Sequence, residues 1–231
     1  VLQSRAAEST TSKFPWISNH LAGALAEVGS RIRFIDFETA SPTVRMYPST
    51  SPRELIPFQW SCHALRDDES LEHTEYLANG MTDPRREFVE SLLRAVGDEG
   101  PVLVYSSYEQ STLTKLADLF DDLSPKIEDL IARFVDLLTL IKDNYYHPSF
   151  KGSFSIKRVL PVFVPGYDYS DLSIGEGETA SATYVDIVEG RVDDFDLEAV
   201  QSDLLEYCKR DTEAMVLIWQ RLVSIAASRE V

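Results

Sequence analysis

The sequence is short of positive charge. Its 22 Lys and Arg face 38 Asp and Glu, a formal net charge of −16. A surplus of that size argues against broad, non-specific attraction to nucleic acid or anionic membranes. It leaves room for a strand gripped by metal ions and a local basic patch. Cysteine is scarce as well: Cys62 and Cys208 lie far apart and form no CxxC. Neither a disulfide framework nor a zinc cluster is expected, and the expected setting is reducing and cytoplasmic. No apolar run approaches membrane-spanning length, so no membrane partner is expected. The opening "VLQSRAAESTTSKF" lacks the basic start and apolar stretch of a signal peptide. His20, His63, His73 and His147 show no H-x-x-x-H or H-E-x-x-H spacing, and G-x-S-x-G and Gly-Lys-Ser/Thr loops are missing. Zinc protease, serine hydrolase and NTPase chemistry therefore have no residues to stand on. "GEGETA" at 175–180 imitates a dinucleotide loop, but no strand precedes it and Glu176 and Glu178 would repel a pyrophosphate. It reads as a turn into a helix.

What is present suits a folded chain with a substantial core: 231 residues, 44% hydrophobic and 26% charged. No repeat or linker divides it. Residues 1–30 read as a polar tail and a short helix in "WISNHLAGALAEVG", and 31–231 as the main domain. The chain opens on Val rather than Met, and we expect it to be a piece of a longer protein. Strands are expected over 31–38, about 55–65 and about 71–77. A helix follows from Asp83–Pro84 to Gly97, then a strand in "GPVLVYSS" and two helices, the second opened by Ser124 and Pro125. "FVDLLTL" suits a strand or a helix equally, with Asp136 as an internal acid that caps or supports the sheet end. Ser155 opens a brief helix broken by Pro161 and Pro165, and helices are expected over about 179–189 and 196–226. This order predicts an α/β fold, a mixed sheet with helices packed on it.

Three acidic signals stand out. In "RIRFIDFETA", Asp36 and Glu38 are two apart on a strand and so share a face. Two carboxylates that close repel unless one is protonated or a cation lies between them, and oxygen donors suit a hard ion such as magnesium or manganese. In "VLVYSSYEQSTL", Glu109 sits in the first turn of a helix, where the dipole favours an acid anyway. In "LLEYCKRDTEAM", Tyr207 and Asp211 are four apart on a helix, on the face that runs through Leu204 and Met215 and points inward. Each signal alone is weak, since a surface acid would match as well.

Taken in order, "FIDFET", "VYSSYEQ" and "EYCKRD" resemble the DEDD exonuclease superfamily (DnaQ-like), in its tyrosine-containing branch, over roughly residues 31–220. "IDFET", "GSFSIKRVLP" and "YCKRDTEAM" are also similar to an uncharacterised bacterial domain family within that superfamily, some of whose members are joined to RecB-like nuclease modules. The resemblance implies a ribonuclease H-like sheet, three antiparallel strands followed by parallel ones. It also implies 3′→5′ hydrolysis of single-stranded nucleic acid, DNA above RNA, to nucleoside 5′-monophosphates with two divalent cations, Mg2+ or Mn2+. By the same resemblance Asp36 would bridge both ions, Glu38 and Asp211 would hold the one carrying the attacking water, and Glu109 would support the other through water. Tyr207 would orient that water. The implied partners are a 3′ end of single-stranded nucleic acid and a further nuclease domain of the parent chain. One position departs from the superfamily: Glu109 stands where Asp is usual. The alternative is therefore a weak or inactive module of the same fold that binds nucleic acid or a protein partner.

For the grip on a strand, "HPSFKGSFSIKR" gathers Lys151, Lys157 and Arg158 with Tyr145, Tyr146, Phe150 and Phe154. Interleaved basic and aromatic side chains can hold phosphates and stack bases. The first amides of the helix after Ser155 can also bind a phosphate. A packed loop with surface lysines fits the same stretch equally well. Thr39 and Phe37 flank the strand acids and are candidates to contact the terminal nucleotide, with core packing the competing role for Phe37.

Overall fold

Eight of the ten residues of the longest strand, Ile56–Leu65, are buried, which requires helices on both sides of its sheet. The structure, a computed structural model, describes Ser9 and residues 14–229. The expected tail over 1–13 otherwise lies outside them. The sheet strands are β2 (Arg33–Ala40), β3 (Ile56–Leu65), β4 (Leu71–Leu77), β5 (Val102–Val104) and β6 (Phe134–Asp136). Their order is β4-β3-β2-β5-β6, with β4, β3 and β2 antiparallel and β5 and β6 added in parallel. That is the expected mixed sheet, three antiparallel strands and then parallel ones, flanked by helices.

On one face Ile35, Phe37, Trp60, Cys62, Val102 and Val104 meet α2 (Arg85–Val96), α3 (Tyr108–Leu119) and α4 (Ser124–Ile131). On the other, Phe34 and Leu103 pack with α5 (Leu137–Asn144), α6 (Ile156–Phe163), α7 (Gly177–Val188) and α8 (Asp194–Ala227). α8 carries the buried stripe Leu204, Tyr207, Asp211, Met215, Ile218 and Leu222, the three-and-four spacing of one helical face. Phe58 stacks on Tyr184 of α7 at 4.0 Å.

Polar bonds fix how α8 lies across the sheet. Gln59 Nε2 donates to the Leu204 carbonyl at 2.7 Å, and Thr212 Oγ1 meets Ser61 Oγ at 2.8 Å and His63 Nδ1 at 2.7 Å. Ser61 Oγ also meets His73 Nε2 at 2.9 Å. Groups buried like these need their partners, so the network specifies one register of α8 against β3. Burial pushes the His63 imidazole down to about 4, and the ring is neutral at physiological pH.

Several local expectations change. Trp16 and Ile17 are not helical. They form β1 and pair with Tyr146 and Tyr145 of β7 (Tyr145–Tyr146), and the neighbouring helix α1 begins only at Leu21 and runs to Val28. "FVDLLTL" is both things in turn: β6 ends at Asp136, whose side chain caps α5 by accepting from the Thr139 amide at 3.2 Å. α6 continues two residues past Pro161, held by the burial of Val159, Leu160 and Phe163.

Candidate metal centre

Asp36 and Glu38 leave β2 on the face that α8 covers; their cross-strand neighbours are Ser61 and Gln59, the residues that bond to α8. A bulge after Glu38 ends the regular register there. Asp211 comes down from α8, one residue before the Thr212 that anchors the helix. Carboxylate oxygens of Asp36, Glu38 and Asp211 lie within 4.8 Å of one another. Glu38 and Asp211 are buried and Asp36 is partly so.

Glu109 approaches from the next strand over. β5 ends at Val104, and Ser106 takes φ 147°, a region L residues rarely occupy and one that costs about 1–3 kcal/mol. Its hydroxyl accepts from the Tyr108 amide at 3.1 Å, and α3 starts there. Glu109 is thereby buried in the first turn with Oε2 lacking any hydrogen-bond partner. Its charge is felt at Asp36 and Glu38, although its oxygens are not among the three sets that meet.

The electrostatics follow from packing acids together out of water. Burial first, then the charges of Asp211, Glu109 and Glu38, raise Asp36 well above the usual carboxylate range. Burial and Asp211 do the same to Glu38, against the opposing field of Lys157. Burial raises Glu109 to about 7, with Asp136 and Asp211 adding to it. Burial raises Asp211 to about 6 against the hydroxyls of Tyr169 and Tyr207 and the charge of Lys157. Four carboxylates, an orphaned carboxylate oxygen and little compensating positive charge are what a site for hard divalent cations needs. The donor set fits such ions.

Three tyrosines and a lysine complete the walls. Tyr207 lies one turn before Asp211, and burial, then the acids, push its phenol well up, so it stays protonated. Tyr169, which the sequence does not reveal, donates to Asp211 Oδ1 at 2.5 Å. The Lys157 ammonium lies 5.2 Å and 5.4 Å from the ring centroids of Tyr169 and Tyr207 and donates to the Gly175 carbonyl. Tyr108, partly exposed, shares a hydroxyl bond with Thr39 at the end of β2. Cys208 Sγ sits 3.6 Å and 3.7 Å from the Asp36 carbonyl and Oδ2, a free buried thiol.

Other candidate residues are placed elsewhere. Phe37 alternates away from the two acids and buries its ring against Phe88, 5.0 Å between centroids, so it is core rather than ligand contact. Tyr145, Tyr146 and Phe150 are buried in the core and cannot stack bases. Their ring-to-ring packing explains why aromatics cluster in that stretch. Lys151 and Arg158 are exposed on the same segment. Of the three cations there, Lys157 is the one whose field reaches Glu38 and Asp211. "GEGETA" does open a helix, but a side chain on Gly177 would come 3.6 Å from Glu38 Oε2 and 3.9 Å from the Tyr207 hydroxyl. The turn is part of the site wall. A glycine-rich turn between acids was the visible signal for it. Tyr169 had none, since a loop residue carries no period.

A family described as "Domain of unknown function (DUF2779)" matches residues 33–155, which hold three of the four acids, Asp36, Glu38 and Glu109. No curated protein and no solved structure matches the chain. No described helix is long and apolar enough to cross a membrane.

Proposed function

We propose that this chain, which belongs to the DUF2779 family, is a metal-dependent 3′→5′ exonuclease acting on single-stranded nucleic acid, with DNA the expected substrate. The observation that carries the reading is the meeting of Asp36, Glu38 and Asp211 within 4.8 Å from positions about 170 residues apart. These three, with Glu109 beside them, would hold two divalent cations, Mg2+ or Mn2+, whose chemistry when bound is to acidify a water and neutralise the departing 3′ oxygen. The remaining steps belong to the chain. Tyr207, kept protonated by burial, orients the attacking water through its hydroxyl and does not take its proton. Lys157, held over two aromatic faces, presents its charge to a phosphate. Thr39, at the open end of β2, faces the terminal nucleotide, and Gly177 leaves room beside Glu38 that a larger side chain would fill.

The test is degradation of labelled single strands in manganese. A 3′ label should leave at once as a mononucleotide, and a 5′ label should give a descending ladder. Asp36→Ala and Asp211→Asn, with unchanged far-UV circular dichroism, should both be inactive. Full activity in both removes the assignment.

One observation favours a non-catalytic module instead: Glu109 is not among the acids that meet. Such a module would bind a strand or a protein partner without cutting. Tight manganese binding together with strand degradation by the purified protein ends that reading.

A further inference from the structure

We propose that Tyr169 is a positioning residue for Asp211, held in place by a strap of residues 167–171 clasped onto α8. The inference rests on the reading of Asp36, Glu38 and Asp211 as a metal site. The strap follows α6 and turns at Gly166, whose φ of 85° is open to glycine. Its consecutive residues then attach to the helix on both sides of the acid. The Tyr167 hydroxyl donates to Glu213 Oε2. Arg210 Nη1 donates to the Asp168 carbonyl at 2.8 Å, and both its Nη atoms reach the Asp171 carboxylate at 3.1 Å. Asp168 closes the turn locally by accepting from the Ser170 amide at 2.9 Å.

Tyr169 is the inward residue of this clasp, 9% exposed, and its hydroxyl reaches Asp211 Oδ1. Its ring stands edge-on to Tyr207 at 6.3 Å, with the Lys157 ammonium against both rings. A strap needed only for packing would be served by phenylalanine. A hydroxyl spent on one oxygen of a cation-binding carboxylate instead fixes that group's rotation, and outer-shell bonds of this type set metal affinity. Tyr207, coming from the same helix as Asp211, moves with the acid. Tyr169 comes from a separate segment and therefore holds Asp211 against the rest of the fold.

The experiment compares wild type, Tyr169→Phe and Tyr167→Phe by manganese titration calorimetry, thermal unfolding, and strand cleavage at saturating metal. Tyr169→Phe should keep a midpoint within a few degrees of wild type, bind manganese about 10-fold or more weakly, and leave KM for the strand unchanged. Tyr167→Phe touches none of Asp36, Glu38, Glu109 and Asp211 but removes the bond to Glu213 that clasps the strap, so it should weaken manganese binding a few-fold. Wild type that fails to bind manganese overturns the metal site itself. Wild type that binds, with Tyr169→Phe binding equally well, overturns only the role of Tyr169. Should Tyr169→Phe not fold, Tyr167→Phe decides: wild-type affinity there refutes the strap, and reduced affinity supports it. A lower midpoint with unchanged affinity would assign Tyr169 to packing alone.

Discussion

Replacing Glu109 with Gln should stabilise the metal-free protein, because the native carboxyl is held in a place that disfavours its charge. Its ordinary value of 4.5 rises to about 7 through burial first, with Asp136 and Asp211 adding to it. For an acid with a raised folded-state value, stability is lost as pH climbs from the unfolded value through the folded one, since the unfolded chain releases the proton more readily. The full difference is about 3 kcal/mol at pH 8 and about 1 kcal/mol at pH 5.5. The residue is 3% exposed, so solvent screening takes little from this figure. Gln is nearly isosteric and carries no charge to lose. In chelator at pH 8 the variant should therefore melt about 6–12 °C higher than wild type, with the gap shrinking toward pH 5.5. Adding manganese should narrow or reverse the gap, because the ion stabilises the wild-type site more. The assay is thermal unfolding followed by circular dichroism across that pH range. A variant equal to or less stable than wild type at pH 8 in chelator would refute the idea that burial and the neighbouring acids disfavour the Glu109 charge.

Other substitutions probe separate parts of the site. Tyr207→Phe should lower kcat by about 100-fold at saturating manganese while calorimetric metal affinity changes far less, as expected for a group that positions water. Gly177→Ala adds a methyl at ordinary contact distance from Glu38 and Tyr207. Its melting temperature should stay within a few degrees while KM for the strand rises, and an unchanged KM would show that the α7 turn does not line the substrate path. Phe88→Ala removes the partner of Phe37 on the far face and should destabilise by about 3–5 kcal/mol in urea unfolding, with the manganese affinity of the folded protein unchanged.

Residues with a strict period were legible in the sequence. The alternation of β2 places Asp36 and Glu38 on one face and Phe37 on the other, and the helical spacing of Leu204, Tyr207, Asp211 and Met215 sets the buried side of α8. The strand order, antiparallel then parallel, also agrees with expectation. Non-local pairing was what could not be read. Trp16 and Ile17 look helical beside an alanine-rich run, yet they are claimed by Tyr145 and Tyr146 about 130 residues away. The aromatics around Phe150 have the composition of a base-stacking surface, but burial depends on what folds over them, and α6 does, with Phe163 against Tyr145 and Phe150. Tyr169 lies on a turn bonded to α8 through Tyr167 and Arg210, and Gly177 opens α7 beside Glu38 and Tyr207. The role of Tyr169 is not written in its neighbours along the chain.

The most direct measurement is an anomalous difference map from a crystal soaked in manganese. Density within coordinating distance of oxygens from Asp36, Glu38 and Asp211, with Glu109 facing it, is the predicted result. A map with no manganese among these acids at saturating concentration, from a protein that keeps this fold, would contradict the metal centre and the nuclease reading built on it.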